Sequence, residues 1–288
     1  MRLEGKAAII TGASRGLGYK ITERFLKEGA SLVVCARNMP ELEKSIAVFQ
    51  AKKEYSGRVI PMQADVAKEE DAAALCSTCI QQFGKIDILV NNAGIHGAKG
   101  AIDSVDMDEW KRAVEVNLYG TVHMIRHAVV HMKKQKYGKI INLSGGGAAS
   151  PRPYFSAYAA SKAAVVRLTE NFAQEYKEDG IDINAVAPGA MNTQLLTDIL
   201  SMDEAAIGEE YRKAREQLKT GGTDMQVPVG LCAYLASSES DGITGRLVSA
   251  VWDSWMGLHT HLKQLQNSDI YTLRRILPTD RGFAWDEE

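Results

Sequence analysis

At 288 residues the chain has room for one large domain or two small ones, and 45% hydrophobic with 24% charged residues is an ordinary globular composition that excludes wholesale disorder. A formal charge of −2 excludes a global basic field for nucleic acid or anionic lipid, which favours a small-molecule partner. The polar start, Met1 to Lys6, and the lack of any run of about 18 apolar residues predict a soluble, cytoplasmic protein with neither secretory signal nor membrane span.

In chain order, residues 7–11 form a short apolar run that stops at Gly12, and a helical pattern begins near Gly16, Leu17 and Gly18. Strand, glycine turn and helix in that order suit a pyrophosphate: the glycines let the backbone turn tightly and approach it, and the helix N-terminus stabilises its charge. Three residues separate the first two glycines, unlike the common G-x-G-x-x-G spacing, and any tight strand-to-helix turn uses glycine in the same way, so the triplet alone leaves both readings open. A second strand at 31–36 ends at Arg37 and Asn38, where an acid would bind the ribose 2′-hydroxyl of NAD and an arginine accommodates the 2′-phosphate of NADP. No acid stands there and Arg15 is available in the glycine loop, so NADP(H) is favoured over NAD(H), the alternative being that Arg37 is a solvated loop residue.

The alternation continues with helix 40–54, strand 58–63, helix 69–83, strand 86–90, helix 107–135, strand 138–143, helix 155–179, strand 181–187, helix 224–237 and strand 246–251. Repeated strand-helix units with short connections predict a parallel sheet covered by helices on both faces, in one domain that reaches about residue 255. Ligands of such sheets lie beyond the carboxyl ends of the strands, so the loops after residues 11, 36, 64, 91, 144 and 187 are the candidate site. Those loops carry Asp65-Val66, Asn91-Asn92-Ala93-Gly94, Ser144-Gly145-Gly146-Gly147 and Pro188-Gly189, while Asn117, a mediocre helix former, sits inside the long helix. Four cysteines, Cys35, Cys76, Cys79 and Cys232, include one C-x-x-C without a second pair or neighbouring histidines; they read as structural thiols, and no metal site is expected.

Tyr158 and Lys162 stand four apart at the start of the helix over 155–179, hence on one face. An ammonium about 4 Å from a phenol, at an effective dielectric near 20, favours the phenolate by roughly 4 kcal/mol, or up to about 3 pKa units. That makes the phenol a usable acid or base near neutrality. Taken alone the pair reads as a solvated patch of helix surface; its company of strand-end motifs lifts it out of that background.

Taken together, Thr11-Gly12, Gly16, Gly18, Asp65, Asn91 to Gly94, Asn117, Tyr158, Lys162 and Pro188-Gly189 resemble, in order and spacing, the motifs of the short-chain dehydrogenase/reductase family, over about residues 3–252. The resemblance implies a Rossmann-like doubly wound α/β fold with about seven parallel strands, a nicotinamide cofactor, and a homodimer or homotetramer packed through the helices at 107–135 and 155–179. It also implies roles. Tyr158 exchanges a proton with the substrate oxygen, Lys162 lowers the tyrosine pKa and binds the nicotinamide ribose, and Asn117 holds a water that relays protons. Gly12, Ser14, Arg15, Gly16, Leu17 and Gly18 surround the phosphates and adenosine ribose, Asp65 and Val66 the adenine. Asn91 and Gly94 lie beside the cofactor, with Pro188 and Gly189, and Thr193 binds the carboxamide.

One position departs from the pattern. The family usually has a serine thirteen residues before the tyrosine, and here that residue is Gly145. Losing one such donor typically costs about 10²–10³ in rate, so an active enzyme needs a substitute: the Ser144 hydroxyl is favoured, with a backbone N–H of the glycine run or a substrate hydroxyl as alternatives. Arg152, fixed between Pro151 and Pro153, reads either as a clamp for carboxylate or phosphate or as a surface residue; His96 and Lys99 are equally ambiguous. The polar segment from 190 to about 221 reads as a lid over a polar substrate or as plain solvent-exposed chain. Residues 256–288, with His259, His261, Tyr271, Arg274, Arg275, Arg281 and Trp285, form a C-terminal extension expected to pack on the domain or on a neighbouring subunit. Three functions follow: oxidoreduction of a polar ketone or secondary alcohol, with a sugar or nucleotide-sugar as the candidate substrate; 3-ketoacyl or general carbonyl reduction; and cofactor binding with turnover impaired by Gly145.

Overall fold

The computed structural model describes residues 1–55 and 57–285. Seven strands, β1 (Ala7–Thr11), β2 (Ser31–Ala36), β3 (Val59–Gln63), β4 (Ile88–Asn91), β5 (Gly138–Leu143), β6 (Ile181–Ala187) and β7 (Leu247–Ser249), form one sheet in the order β3-β2-β1-β4-β5-β6-β7. Every pairing is parallel. Their apolar runs do not alternate with polar residues because both faces are covered: β1, β4 and β5 are buried along their whole length. Ala8, Ile10, Leu32, Val34 and Ile141 face one layer of helices, while Ile9, Val33, Leu89, Ile140 and Ile183 face the other. The first layer contains α1 (Gly16–Lys27), α2 (Met39–Gln50) and a later apolar helix over Gln226–Ala236; the second is built on α3 (Glu69–Phe83) and the helical segment after β4. All four cysteines are free and buried, and burial pushes each thiol up to about 12, which keeps them protonated and inert.

The helix expected at 107–135 is interrupted. α4 (Met107–Val114) and α5 (Gly120–Gln135) are joined by a π-helical turn, Glu115–Tyr119. The extra residue of that turn carries Asn117, whose side chain bonds the main chain of Ile95 in place of solvent. Gly120 follows because a Cβ there would lie 2.6 Å from Val66 Cγ2, so the helix passes directly over the turn after β3. α6 (Ser156–Glu175) then leads to β6, and the segment beyond it folds into α7 (Gln194–Leu200), α8 (Glu204–Ile207) and α9 (Glu209–Thr220), a helical cover over the carboxyl edge. α10 (Gln226–Ala236) completes the first layer, and the chain after β7 ends in a 3₁₀ turn, Trp255–His261, and α11 (Leu262–Gln266).

Beyond residue 255, Leu258 and Leu265 are buried in the cluster that contains Leu3 and Tyr234, with Leu262 and Tyr271 packed against it. Arg246, itself buried, fixes them: its guanidinium donates to the carbonyls of Leu265, Ser268 and Ile270. Leu247 N–H donates to the Tyr271 carbonyl at 2.8 Å, which satisfies one group on the open edge of β7. Arg246→Met should therefore lower stability to urea by about 2–4 kcal/mol, since three carbonyls lose a charged donor, and expose the chain beyond residue 255 to limited proteolysis. A variant with unchanged midpoint and cleavage pattern would show that the extension is held elsewhere.

Candidate active site

The sheet order reverses between β1 and β4, and the crevice opens there. Gly12 (φ +66) and Gly16 (φ +57) adopt left-handed backbone in the turn after β1. That turn is tied to the one after β4: Asn92 Nδ2 donates to the carbonyls of Thr11 and Gly12 at 2.8 and 3.0 Å, and the Thr11 hydroxyl accepts from the amides of Asn92 and Ala93 at 3.0 Å each. The approach excludes side chains, because a Cβ on Gly12 would lie 2.9 Å from Ala93 Cα and one on Gly18 2.3 Å from the Gly12 carbonyl oxygen. α1 begins with no side-chain cap, so its first amides face the cleft without a protein acceptor. A pyrophosphate fits that cradle of free amides and bare glycines.

The cleft measures about 1810 Å³ and runs from Gly12, Ser14, Arg15, Gly16 and Leu17 past Arg37, Asp65 and Val66 to Gly94, Ser144, Tyr158 and Lys162, with Pro188, Gly189 and Thr193 opposite. Arg37 is exposed at its margin, and Arg15 lies 3.5 Å from Glu41. Three expected residues stand outside the lining. Gly18 serves the close packing just described. Asn91 turns into the sheet, where its Nδ2 donates to Asn142 Oδ1 at 2.9 Å and Asn142 in turn donates to the Thr169 hydroxyl. It is Asn92, one residue on, whose side chain reaches the glycine turn, while the Asn91 side chain supports the strands behind it. Asn117 is fully buried: Oδ1 accepts from Ile95 N–H at 2.9 Å, while Nδ2 donates to the Ile95 carbonyl and the Ser161 hydroxyl. It holds the turn after β4 against α6 rather than facing the cleft.

Tyr158 and Lys162 lie on the first turns of α6, 6% and 4% exposed, and both line the cleft. Lys162 Nζ donates to the Leu143 carbonyl at 2.7 Å and stands 5.8 Å from the centre of the Tyr158 ring. Burial pushes Lys162 down to about 8 and raises Tyr158; the charge that opposes the rise in Tyr158 is the Arg152 guanidinium. Lys162 directs its proton at the Leu143 carbonyl, and burial is the largest influence on the Tyr158 phenol.

Around Tyr158 the structure departs further from the motif. A Cβ on Gly145 would lie 2.2 Å from the Tyr158 hydroxyl, so the phenol occupies the space a side chain at that position would need. Ser144 is buried with its amide bonded to the Val186 carbonyl and its hydroxyl without a protein partner. His96, ambiguous from sequence, packs edge-on against Tyr158 (ring centres 4.8 Å apart) and Phe155, with Nδ1 buried and unpartnered. Burial first, then Arg152, Lys99 and Lys162, push it down to about 3, so it is neutral at physiological pH. Arg112, unremarkable in sequence as one charge among several on α4, forms an ion pair with Asp65, and the Asp65 carboxylate also accepts from Ala67 N–H at 3.1 Å. Among the described residues no group of acids, histidines and cysteines is arranged to hold a metal ion.

A family model described as short chain dehydrogenase matches residues 6–204. Glucose 1-dehydrogenase 2 of Bacillus subtilis is 33% identical over 245 residues, which span 84% of this chain and 92% of that protein. Among solved structures, levodione reductase superposes with a TM-score of 0.78 at 29% identity, covering 90% of this chain and 99% of that one. A gluconate 5-dehydrogenase from Burkholderia cenocepacia, solved with NADP and tartrate, gives 0.75 at 28% identity over 86% of this chain and 94% of its own. With a seven-stranded parallel sheet, a glycine turn at its switch point and a buried Tyr158–Lys162 pair, the chain belongs to the short-chain dehydrogenase/reductase family and is an NAD(P)-dependent oxidoreductase of the alcohol–ketone class.

Proposed function

We propose that the protein is an NADP(H)-dependent oxidoreductase that interconverts a polar ketone and its secondary alcohol, with a sugar or nucleotide-sugar as the favoured substrate class. The observation that carries this reading is the continuity of one cleft from the glycine turn to the Tyr158 hydroxyl. A bound nicotinamide supplies hydride to the substrate carbon, or accepts it. Tyr158 gives the substrate oxygen its proton in reduction and takes it in oxidation; the raised pKa keeps the phenol protonated, which suits the reductive direction. Lys162, poised by the Leu143 carbonyl near Gly94, would hold the nicotinamide ribose and return protons to Tyr158. The unpartnered Ser144 hydroxyl is the donor proposed to serve the substrate oxygen in place of the serine that Gly145 lacks. Arg37, which lines the cleft and directly follows β2 where an acid would favour NAD(H), supports NADP(H) over NAD(H). Exposed Met107, Tyr119 and Val130, on α4, the π turn and α5, support a homodimer or homotetramer packed through those helices. No helix among the described residues is long and apolar enough to cross a membrane.

Gly145 supports one second reading, a cofactor-binding member of the family with impaired turnover. Saturable NADPH binding without oxidation across a panel of ketones and keto-sugars would favour it. For the first reading, Tyr158→Phe should cost about 10²–10⁴ in kcat with NADPH affinity kept, since general acid-base catalysis is worth that much; full activity in this variant would sink the mechanism. Arg37→Asp should move the NADP/NAD preference toward NAD by at least about tenfold, the value of a lost charge-assisted contact. An unchanged ratio of kcat/KM values for the two cofactors would refute the role given to Arg37.

His96 sets a pH dependence. Its pKa is about 3 in the fold and 6.5 as a free side chain, so the unfolded chain binds more protons between those values and stability falls as pH drops through that window. The slope from this residue is up to about 1.4 kcal/mol per pH unit. His96→Phe, which keeps an aromatic ring against Phe155 and Tyr158, should flatten the urea-midpoint profile below about pH 6.5. Parallel profiles for the two proteins would show that His96 takes up a proton without unfolding.

A further inference from the structure

The wall of the cleft beside Tyr158 carries a cation whose hydrogen-bonding capacity is mostly unused. Arg152 lies in the Pro151-Arg152-Pro153 turn that feeds α6, and its guanidinium stacks 4.1 Å from the centre of the Phe155 ring and 5.6 Å from that of Tyr158. An arginine has five N–H donors. Here Nε donates to Glu210 Oε2 at 2.8 Å, and among the described residues no acceptor meets the Nη groups. The side chains of Arg152 and Glu210 are 17% and 15% exposed, and both line the cleft.

The neighbouring glycines lie alongside the arginine side chain. A Cβ on Gly147 would lie 3.2 Å from Arg152 Cβ, and one on Gly146 would touch Cδ and Nη1 at 3.9 Å. The run Gly145 to Gly147, which removes a hydroxyl from the usual place, therefore leaves a flat bare floor between an arginine fork and the Tyr158 hydroxyl. Arg152, Lys99 and Lys162 are all close enough to His96 to oppose its protonation, and His96 lies against the Tyr158 ring. Of the carboxylates lining the cleft, Glu41 lies 3.5 Å from Arg15, Asp65 pairs with Arg112, and Glu210 is the one bound to Arg152; Asp198 and Asp253 line it as well.

Glu210 belongs to the first turn of α9, and the cover to which it belongs packs Leu196, Ile199, Ile207 and Ala214 against Phe155 and Tyr158. It has a second cation in reach, Lys213 at 3.6 Å, so it keeps a partner if it leaves Arg152. A half-buried ion pair is a poor device for stability alone, because desolvating both charges offsets most of their attraction. Its geometry suits exchange instead, one carboxylate for another on a planar fork.

We infer that Arg152 is the recognition residue for a carboxylate on the substrate, and that the Glu210 carboxylate occupies its place until the substrate displaces it and frees the cover formed by α7 to α9. The substrate is then a hydroxy or keto acid of the polyol type, with its carboxylate close to the carbon that reacts at Tyr158. This deepens the oxidoreductase reading and rests on it.

The test is a binding measurement that needs no turnover. Calorimetric titration of the NADPH-saturated protein would compare tartrate, whose secondary hydroxyls neighbour carboxylates, with erythritol, the same four-carbon chain without charge, and with glycerol 3-phosphate. Tartrate should bind. Arg152→Met and Arg152→Lys should each weaken it at least about tenfold, because neither presents the planar fork, and Glu210→Gln should tighten it severalfold; erythritol should respond to none of them. No tartrate binding to either the parent protein or Glu210→Gln overturns the inference, as does tighter binding of glycerol 3-phosphate than of tartrate, or an equal loss of tartrate and erythritol in the arginine variants. Tartrate binding that survives Tyr158→Phe while that variant keeps full turnover would leave the anion site standing and remove the proposed chemistry, so the two failures are separable.

Discussion

The carboxyl edge of the sheet depends on the contact between the turns after β1 and β4. Those strands are neighbours in space but far apart in sequence, and their pairing ends at Ile10 and Val90, so nothing in the ladder itself aligns the turns beyond it. Asn92 and Thr11 do that with four hydrogen bonds, two given and two accepted. The bonds bring backbone to backbone at distances no Cβ would permit, which is why Gly12 and Gly18 are glycines. From that fixed point the turn after β4 runs on to Ile95, where Asn117 holds it from the π turn and links it through Ser161 to α6. The helix that bears Tyr158 and Lys162 is thus referenced to the glycine turn by buried polar bonds, each costly to break without water to replace it.

Electrostatics inside that frame follow from burial before charge. The phenol and the ammonium are both desolvated, so each is pushed toward its neutral form, Tyr158 upward and Lys162 down to about 8. In water the two groups start close together, at 10.0 and 10.5; burial drives them apart, each toward its neutral form, so the phenol holds its proton while the amine gives its own up more readily. The same desolvation holds His96 neutral beside three cations. Neutral, it packs its edge on the Tyr158 ring without adding a fourth positive charge to a site where an anionic substrate would already balance the arginine.

Much of this was legible in the sequence, because strand-end loops of a parallel sheet must supply the ligand groups and these loops carry unusual residues. Strand and helix positions follow from continuous apolar runs separated by glycine turns, as β5 and α3 illustrate, both found over the residues expected. The π turn was not legible: its cause is a tertiary bond from Asn117 to Ile95, while local periodicity reads straight through it. Nor does a run of two asparagines say which side chain turns into the sheet; Asn91 is the last residue of β4 and its pleat sends it to Asn142. Arg112 reads as a solvated helix charge, and only the fold brings Asp65 to it.

The glycine run at 145–147 lies where Tyr158 and Arg152 meet. If Gly145 were only the loss of a donor, the surrounding space would be expected to remain, and a serine would fit it. Instead the Tyr158 hydroxyl has taken that space, 2.2 Å from where a Cβ would stand, and Arg152 closes over Gly146 and Gly147. Returning a serine to position 145 would therefore displace the phenol itself rather than restore a hydrogen bond to it. The bare floor, the arginine fork above it and the neutral histidine at its side make a single arrangement, in which the orienting force on a substrate comes from a charge on its periphery and not from a hydroxyl at its reacting oxygen. A substrate without that peripheral charge would find in this cleft only Tyr158 and the buried Ser144 hydroxyl to align it.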